Sequence, residues 1–199
     1  MENTWIPAAL LGLSLAASTG LNTFLPLLML AGAAHFKIFN ADTLLGGNFA
    51  WVSSGGALAA LSIATLFEIV ADKIPSVDHF LDVIGTFSRP AVGAFAAASV
   101  FQGDPANAVL AGLVVGAPVA FGFHAAKAGT RAASSATTLG VGNPVLSTLE
   151  DIAAMGLTLV ALVVPWLAPV LLLVIAFVLW RLVRAVKSKL PKFNRAATS

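Results

Sequence analysis

Cysteine is absent from this 199-residue chain, which excludes a disulfide framework, a thiolate metal site and a cysteine nucleophile, and leaves the redox compartment undetermined. Charge is scarce as well: Asp, Glu, Lys and Arg make up 10% of the residues, against roughly a quarter in a water-soluble domain. With 58% apolar residues and a mean hydropathy of +0.93, a soluble fold of this size could not hide its apolar surface. Three signatures are also missing: His-Glu-x-x-His, the Walker lysine loop and Gly-x-Ser-x-Gly. Zinc peptidase, nucleotide hydrolase and serine hydrolase chemistries therefore have no support. The N-terminus lacks the basic region of a secretory signal, since the only charged side chain before Lys37 is Glu2. Its apolar run is read as part of a first membrane span.

What is there is one long apolar run after another. A hydrocarbon core needs about 20 apolar residues per helix. Stretches approaching that length lie at 6–34, 51–74, 79–101 and 106–126, the first long enough to be tilted or broken and the third interrupted by Asp82 and Arg89. A small-residue polar stretch from Gly129 to Ser135 follows the fourth. Residues 152–180 then hold no charge for 29 positions, about 44 Å as a single helix, which overshoots a core about 30 Å thick. A turn at Pro165-Trp166-Leu167-Ala168-Pro169 divides this run into spans at 146–164 and 170–186. The expectation is an all-α membrane protein with six transmembrane helices, forming a single domain over 1–186, followed by a basic cytoplasmic tail over 187–199.

Charge placement supports the count. Six of the eleven Lys+Arg (Arg181, Arg184, Lys187, Lys189, Lys192, Arg195) fall in the last nineteen residues. With that tail cytoplasmic, six spans place ten basic residues inside and only Lys37 outside, whereas merging the last two spans gives seven inside and four outside. Both termini are then expected on the cytoplasmic side. An internal echo, Ala17 to Asn22 against Ala126 to Arg131 and Thr65 to Glu68 against Ser147 to Glu150, leaves open two inverted three-helix repeats with halves 1–103 and 104–186.

Several polar groups sit where apolar ones are cheaper. Glu68 and Asp72 are one helical turn apart, and a carboxylate at membrane depth costs about 2.5 to 3.5 kcal/mol on insertion scales. They read either as a cation or proton site, together with Glu150, or as helix ends paired with Lys73, Lys127 or Arg131. Ser18, Thr19, Asn22 and Thr23 flank Gly20 and precede Pro26, residues that let a helix unwind and expose backbone ligands. The bland alternative is interhelical hydrogen bonding, worth about 0.6 kcal/mol per bond. Lys127 and Arg131, with Arg89, are candidate contacts for an anion or lipid phosphate. Asp78, His79 and Asp82 offer weak metal ligands at no recognised spacing, and a helix start explains Asp-His equally well.

Three blocks carry a family resemblance: Ser18-Thr19-Gly20-Leu21-Asn22-Thr23-Phe24-Leu25-Pro26, then Glu68-Ile69-Val70-Ala71-Asp72-Lys73-Ile74-Pro75-Ser76-Val77-Asp78-His79-Phe80-Leu81-Asp82 with Thr86-Phe87-Ser88-Arg89-Pro90, and Lys127-Ala128-Gly129-Thr130-Arg131. They resemble a bacterial membrane family known as domain of unknown function 4126. The resemblance implies a multi-pass protein of the bacterial inner membrane and carries no assigned activity. The leading functional expectation is a small transporter or channel for an ion or small polar solute, with its path at Ser18, Thr19, Gly20, Asn22, Thr23, Glu68, Asp72 and Glu150. A non-transporting lipid-binding or scaffold protein is the alternative, and an intramembrane enzyme using Asp78, His79 and Asp82 the third. No cofactor and no nucleic-acid partner are expected; the bilayer is the expected partner, and a homo-oligomer is left open.

Overall fold

The computed structural model describes the backbone of residues 5–101 and 104–189 and, within those, all side chains except Trp5, Asp42, Thr43, Pro75, Ser76, Asp78, His79 and residues 185–189. The described residues contain no β-strand. The helices are α1 (Trp5–Leu21), α2 (Leu25–His35), α3 (Gly55–Ala71), α4 (Pro75–Ser99), α5 (Pro105–Ala111), α6 (Ala117–Thr138), α7 (Asn143–Val163) and α8 (Ala168–Lys189). A π-helical segment, Gly112–Gly116, joins α5 to α6; 3-10 stretches occupy Gly47–Ser53 and Pro165–Leu167, and Ile38–Thr43 is a kinked 3-10 segment in which Phe39 and Asn40 are left-handed. The basic tail expected over 187–199 lies outside the described residues apart from the backbone of 187–189.

Among the described residues three stretches are long and apolar enough to cross a membrane, Pro105–Thr138, Asn143–Val163 and Pro165–Arg184. Gly47–Ser53 and Gly55–Ala71, bent by 64°, supply a fourth if the pair is one span. The six expected spans are not reached on this criterion. Helix α4 has the length, 25 residues, but contains Asp78, Asp82 and Arg89. The polar stretch from Gly129 to Ser135, expected to follow the fourth span, lies in the second half of α6, which ends only where Leu139 turns to the left-handed conformation at φ 53°.

The largest departure is the first span. Gly12 packs on Ala97 and Val100 near the end of α4, while Gly20 and Leu21 meet Arg89 nearer its start, so α1 runs antiparallel to α4. The approach to α3 stacks on the last part of α4 through Phe49–Phe95 and Trp51–Phe95 ring contacts at 5.4 and 5.8 Å, and Glu68 meets Arg89, so α3 is antiparallel to α4 as well. Gly32 faces Leu58 while Thr23 meets Glu68, which makes α2 antiparallel to α3. It follows that α1 and α2 run in opposite directions. Residues 6–34 are a helical hairpin turning at Asn22, Thr23 and Phe24, and not a single span.

The bundle thus has two unlike ends. At one end Leu11, Leu15, Leu27, Leu30, Leu162 and Ala168 form a buried apolar cluster. The hairpin enters and leaves there, and α3, α4, α5 with α6, α7 and α8 then traverse the bundle in turn. Trp5 and Lys189 consequently lie at opposite ends of the bundle. The two segments whose sequences echo also differ: the chain reverses after Gly20, whereas α6 continues unbroken through Gly129 and Arg131.

Close approach of backbones holds the charged end of the bundle together. A Cβ on Gly20 would collide with the Ala120 carbonyl of α6, and one on Gly116 would lie 2.6 Å from the Gly93 carbonyl of α4. Small residues at helix contacts permit such packing in apolar surroundings. The outward surface is strongly apolar, with Phe67 and Val70 on α3, Phe87 on α4, Leu149 on α7 and Leu173 on α8 all more than half exposed. Such a surface belongs in lipid.

The arrangement predicts two labelling sets in this cysteine-free chain. Single cysteines at Asn40, Asp104 and Leu167 are expected to react with an impermeant thiol reagent from one side of the membrane. A cysteine at Leu139, in the α6–α7 turn, is expected to react only from the other. Labelling of Leu139→Cys from the same side as Asp104→Cys would contradict the bundle geometry.

Candidate functional site

The hairpin tip is the point from which the site is built. Pro26 has no N–H to return to residue 22, and its ring crowds a helical carbonyl four residues back, which disfavours continuing α1 and suits the first turn of α2, where it sits. Ending one helix and starting another inside the bundle leaves carbonyls of α1 and amides of α2 without helical partners. Water would satisfy these groups at a surface. Here Asn22 is fully buried and Thr23 is 4% exposed, so side chains must do it.

Glu68, on α3, takes the amides. The Thr23 N–H donates to both of its carboxylate oxygens at 2.9 Å, the Phe24 N–H to Oε2 at 3.2 Å, and the Thr23 hydroxyl to Oε1 at 2.7 Å. Asn22 Oδ1 accepts from the Leu25 N–H at 3.0 Å. Two cations take the carbonyls: Arg89 Nη1 donates to Gly20 O and Leu21 O at 2.9 and 3.1 Å, and Lys127 Nζ to Leu21 O at 2.7 Å. An anion at the start of α2 and cations at the end of α1 also match the two helix macrodipoles. Arg89 Nη2 closes the ring onto Glu68 Oε1 at 3.2 Å.

A second layer of charge lies beside this one. Lys127 Nζ is 2.9 Å from Asp72 Oδ2 and 3.4 Å from Glu150 Oε2. Arg131 Nη2 reaches Asp72 Oδ2 at 3.1 Å and Glu150 Oε2 at 2.7 Å, and Nη1 stands 4.0 Å from Asp82 Oδ1. A third pair is nearer the surface: Lys73 Nζ to Asp151 Oδ2 at 3.1 Å, with Asn22 Nδ2 donating to Asp151 Oδ1 at 2.8 Å. Apolar side chains are exposed on the same helices immediately around these charges, Phe67 and Val70 about Glu68 and Leu149 and Ile152 about Glu150. The network is therefore enclosed by protein at the level of the apolar belt.

The structure brings together Gly20, Asn22, Thr23, Glu68, Asp72, Arg89, Lys127, Arg131 and Glu150. Ser18 and Thr19 are buried one turn further down α1, where the Thr19 hydroxyl donates to Ala16 O at 2.7 Å. Arg89, considered as an anion contact, is the partner of Glu68 instead of Lys73, Lys127 or Arg131. Lys127 and Arg131, considered likewise, face inward onto carboxylates. Of the weak metal candidates, Asp82 faces Arg131, and the side chains of Asp78 and His79 lie outside those described. Among the described residues no group of three or more His, Asp or Glu is placed to hold a metal ion.

Sequence reasoning missed His124, which is buried and 3.3 Å from the Thr86 hydroxyl through Nε2. Its signal was present: His124, Lys127 and Arg131 recur at the spacing of one helical face.

A family model, "Domain of unknown function (DUF4126)", matches residues 9–185, and the chain belongs to that family. No curated protein and no solved structure matches it.

Removing one member of a buried pair leaves the other charge uncompensated and costs about 3–5 kcal/mol, whereas an exposed pair is worth about 0–1 kcal/mol. In detergent, Arg131→Gln and Glu68→Gln are therefore expected to lower the thermal unfolding midpoint far more than Lys73→Gln. The Glu68 change also turns an amide group toward the Thr23 and Phe24 amides. A Lys73→Gln effect equal to that of Arg131→Gln would contradict the ranking.

Proposed function

We propose that this protein is a membrane carrier for a proton or small cation, with the tip of the α1–α2 hairpin and the charges around it as the binding element. The observation that carries the reading is the buried break between α1 and α2. Discontinuous helices at membrane depth are tolerated where they are buried in protein or line a cavity, and in many secondary transporters their ends form the site for a solute or coupling ion. The proposed topology is a re-entrant hairpin plus five spans, in place of six spans and an inverted repeat. The basic residues favour one orientation: among the described side chains Lys73, Arg89, Lys127, Arg131, Arg181 and Arg184 lie toward the charged end, and Lys37 alone toward the other. The charged end and C-terminus then face the cytoplasm, the N-terminus faces the opposite side, and the membrane is the bacterial inner one.

A preference for cations follows from the charge count. Among the described side chains of the two buried layers, the carboxylates Glu68, Asp72, Asp82 and Glu150 face only Arg89, Lys127 and Arg131. Asp72 Oδ1, Asp82 Oδ1 and Glu150 Oε1 have no hydrogen-bond donor. A buried acceptor left so costs about 1–3 kcal/mol, more if charged, and a proton or cation relieves it where a further anion would not. The leucine cluster at the other end closes the route in this conformation, so passage requires the hairpin to move against α3 and α4.

Flux in liposomes under proton, sodium and potassium gradients tests this. The wild type is expected to carry one of these ions, and Glu68→Gln, Asn22→Leu and Asp82→Asn to reduce the rate at least about tenfold. Asp82→Asn should do so with the smallest loss of thermal stability, since Asp82 holds only the longest of the ion pairs. Equal flux in all variants, or none in the wild type under any gradient, would leave the lipid-binding or scaffold reading in its place.

A further inference from the structure

Helix α8 leaves much of its surface outside the bundle, with Leu173, Val174, Phe177 and Trp180 each half exposed or more. Between α8 and α6 a furrow of about 570 Å³ stays open, lined by Leu13 of α1, Val119 and Gly122 of α6, and Leu172, Trp180 and Val183 of α8. That volume is within the range of small-molecule sites, about 300–1,000 Å³. A Cβ on Gly122 would meet nothing within 4 Å, so the missing side chain is part of what keeps the furrow open. From Leu172 to Val183 the α8 wall rises about 16 Å at 1.5 Å per residue, close to half of a hydrocarbon core about 30 Å thick. An apolar furrow of that length has the depth of one leaflet and suits one extended acyl chain.

The end of the furrow selects the head group. Helices α6 and α8 run the same way, toward the charged end of the bundle, so Val183, beside Gly129, marks the end nearer the membrane surface. Arg184 follows directly. Its guanidinium carbon stands 5.2 Å from the centroid of the Trp180 ring, itself a wall of the furrow. Arg181 lies over Phe177 at 5.9 Å, and the two rings are 5.9 Å apart. Stacking on an aromatic face fixes a guanidinium while leaving its N–H donors for another partner. That partner is not a carboxylate of this chain: no Asp or Glu follows Asp151, and among the described residues neither arginine is in an ion pair. A phosphodiester accepts two parallel N–H donors from one arginine. A head that carries its own cation offsets that phosphate, so charge complementarity favours a lipid of net negative charge.

We propose that the furrow between α6 and α8 binds one anionic phospholipid, with an acyl chain along Leu172, Gly122 and Val183 and its phosphate on Arg184, with Arg181 beside it. No charged residue of the buried network lines the furrow, and its occupancy does not require that any ion crosses.

The protein in dodecyl maltoside can be titrated with dioleoyl phosphatidylglycerol, with dioleoyl phosphatidylcholine, which has the same chains, and with glycerol 3-phosphate, which has none. Thermal unfolding reports binding, because a ligand of the native state raises the midpoint with its saturation. Native mass spectrometry counts the lipids retained. The glycerol lipid is expected to give a saturable rise and one retained lipid per chain, the choline lipid to bind at least about tenfold more weakly, and glycerol 3-phosphate to have no effect. Arg184→Gln should weaken the glycerol lipid about tenfold, and Arg184→Lys, which keeps the charge but loses the planar fork, should recover only part of that. Gly122→Leu fills the furrow without touching a charge, replaces glycine by a better helix former, and should abolish the saturable rise. Ala176→Phe, on the α8 wall, serves the same purpose if that variant fails to fold. Equal responses to the two lipids, or full recovery in Arg184→Lys, would show a diffuse positive surface and overturn the site. So would a rise that survives the filled furrow, a response to glycerol 3-phosphate alone, or a lipid-free dimer that Gly122→Leu dissociates, which would make a second copy the occupant. None of these outcomes depends on the flux measurements.

Discussion

The grip of Glu68 on the amides of Thr23 and Phe24, just ahead of α2, is the interaction on which the rest of the charged end depends. A hairpin that turns inside a bundle exposes donors on one arm and acceptors on the other within a few ångströms. Once Glu68 takes the donors, a cation must balance it, and Arg89 does so while also taking the Gly20 and Leu21 carbonyls. Lys127 shares the Leu21 carbonyl and so brings a second cation into the same enclosed volume, which needs Asp72 and Glu150 in turn. Each charge is there because the previous one cannot be left alone in a low dielectric. The network is a chain of obligations that starts at a broken backbone.

That chain explains the placement of small residues. Arg89 can reach the end of α1 only if α4 lies against it, and Lys127 only if α6 does. Gly93 and Gly116 let α4 and α6 touch through their backbones, and Gly20 lets α1 settle on Ala120. The π-helical segment Gly112–Gly116 sits in this contact, and one widened turn re-aims the face that follows, which carries His124, Lys127 and Arg131.

Much of this was legible in the sequence, and the remainder was hidden for physical reasons. Scarce charge and long apolar runs announced a membrane protein. Gly20, Asn22 and Pro26 marked a break, since each weakens or ends a helix by its own chemistry. Whether the chain then continues or doubles back was not written there: three residues between two helices permit either, and the choice is made by what α2 packs on, here Leu58 on α3. The stretch from Gly129 to Ser135 resembles a loop by composition, yet it is helical because Lys127 and Arg131 must face inward from one continuous rod. The Glu68–Arg89 pair was also out of reach, since it depends on how far α4 slides along α3 before its glycines meet α6.

The hairpin's position gives the network its mechanical meaning. Helices α1 and α2 are joined by a three-residue turn in which the Asn22 N–H still donates to Ser18 O and Phe24 O accepts from the Leu28 N–H, both at 2.9 Å, while the tip is also fixed from outside by Glu68, Arg89, Lys127 and Asp151. Replacing Glu68 by a neutral residue would loosen the start of α2 and leave Arg89 unbalanced in the same step, so two of the four anchors depend on one carboxylate. The remaining anchors, Lys127 and Asp151, are tied to carboxylates and a lysine on other helices and would hold the end of α1 in place. A change of charge at Glu68 would therefore release the second arm of the hairpin before the first. Such an asymmetry lets a local electrostatic event become a movement of one short helix without dismantling the bundle that encloses it.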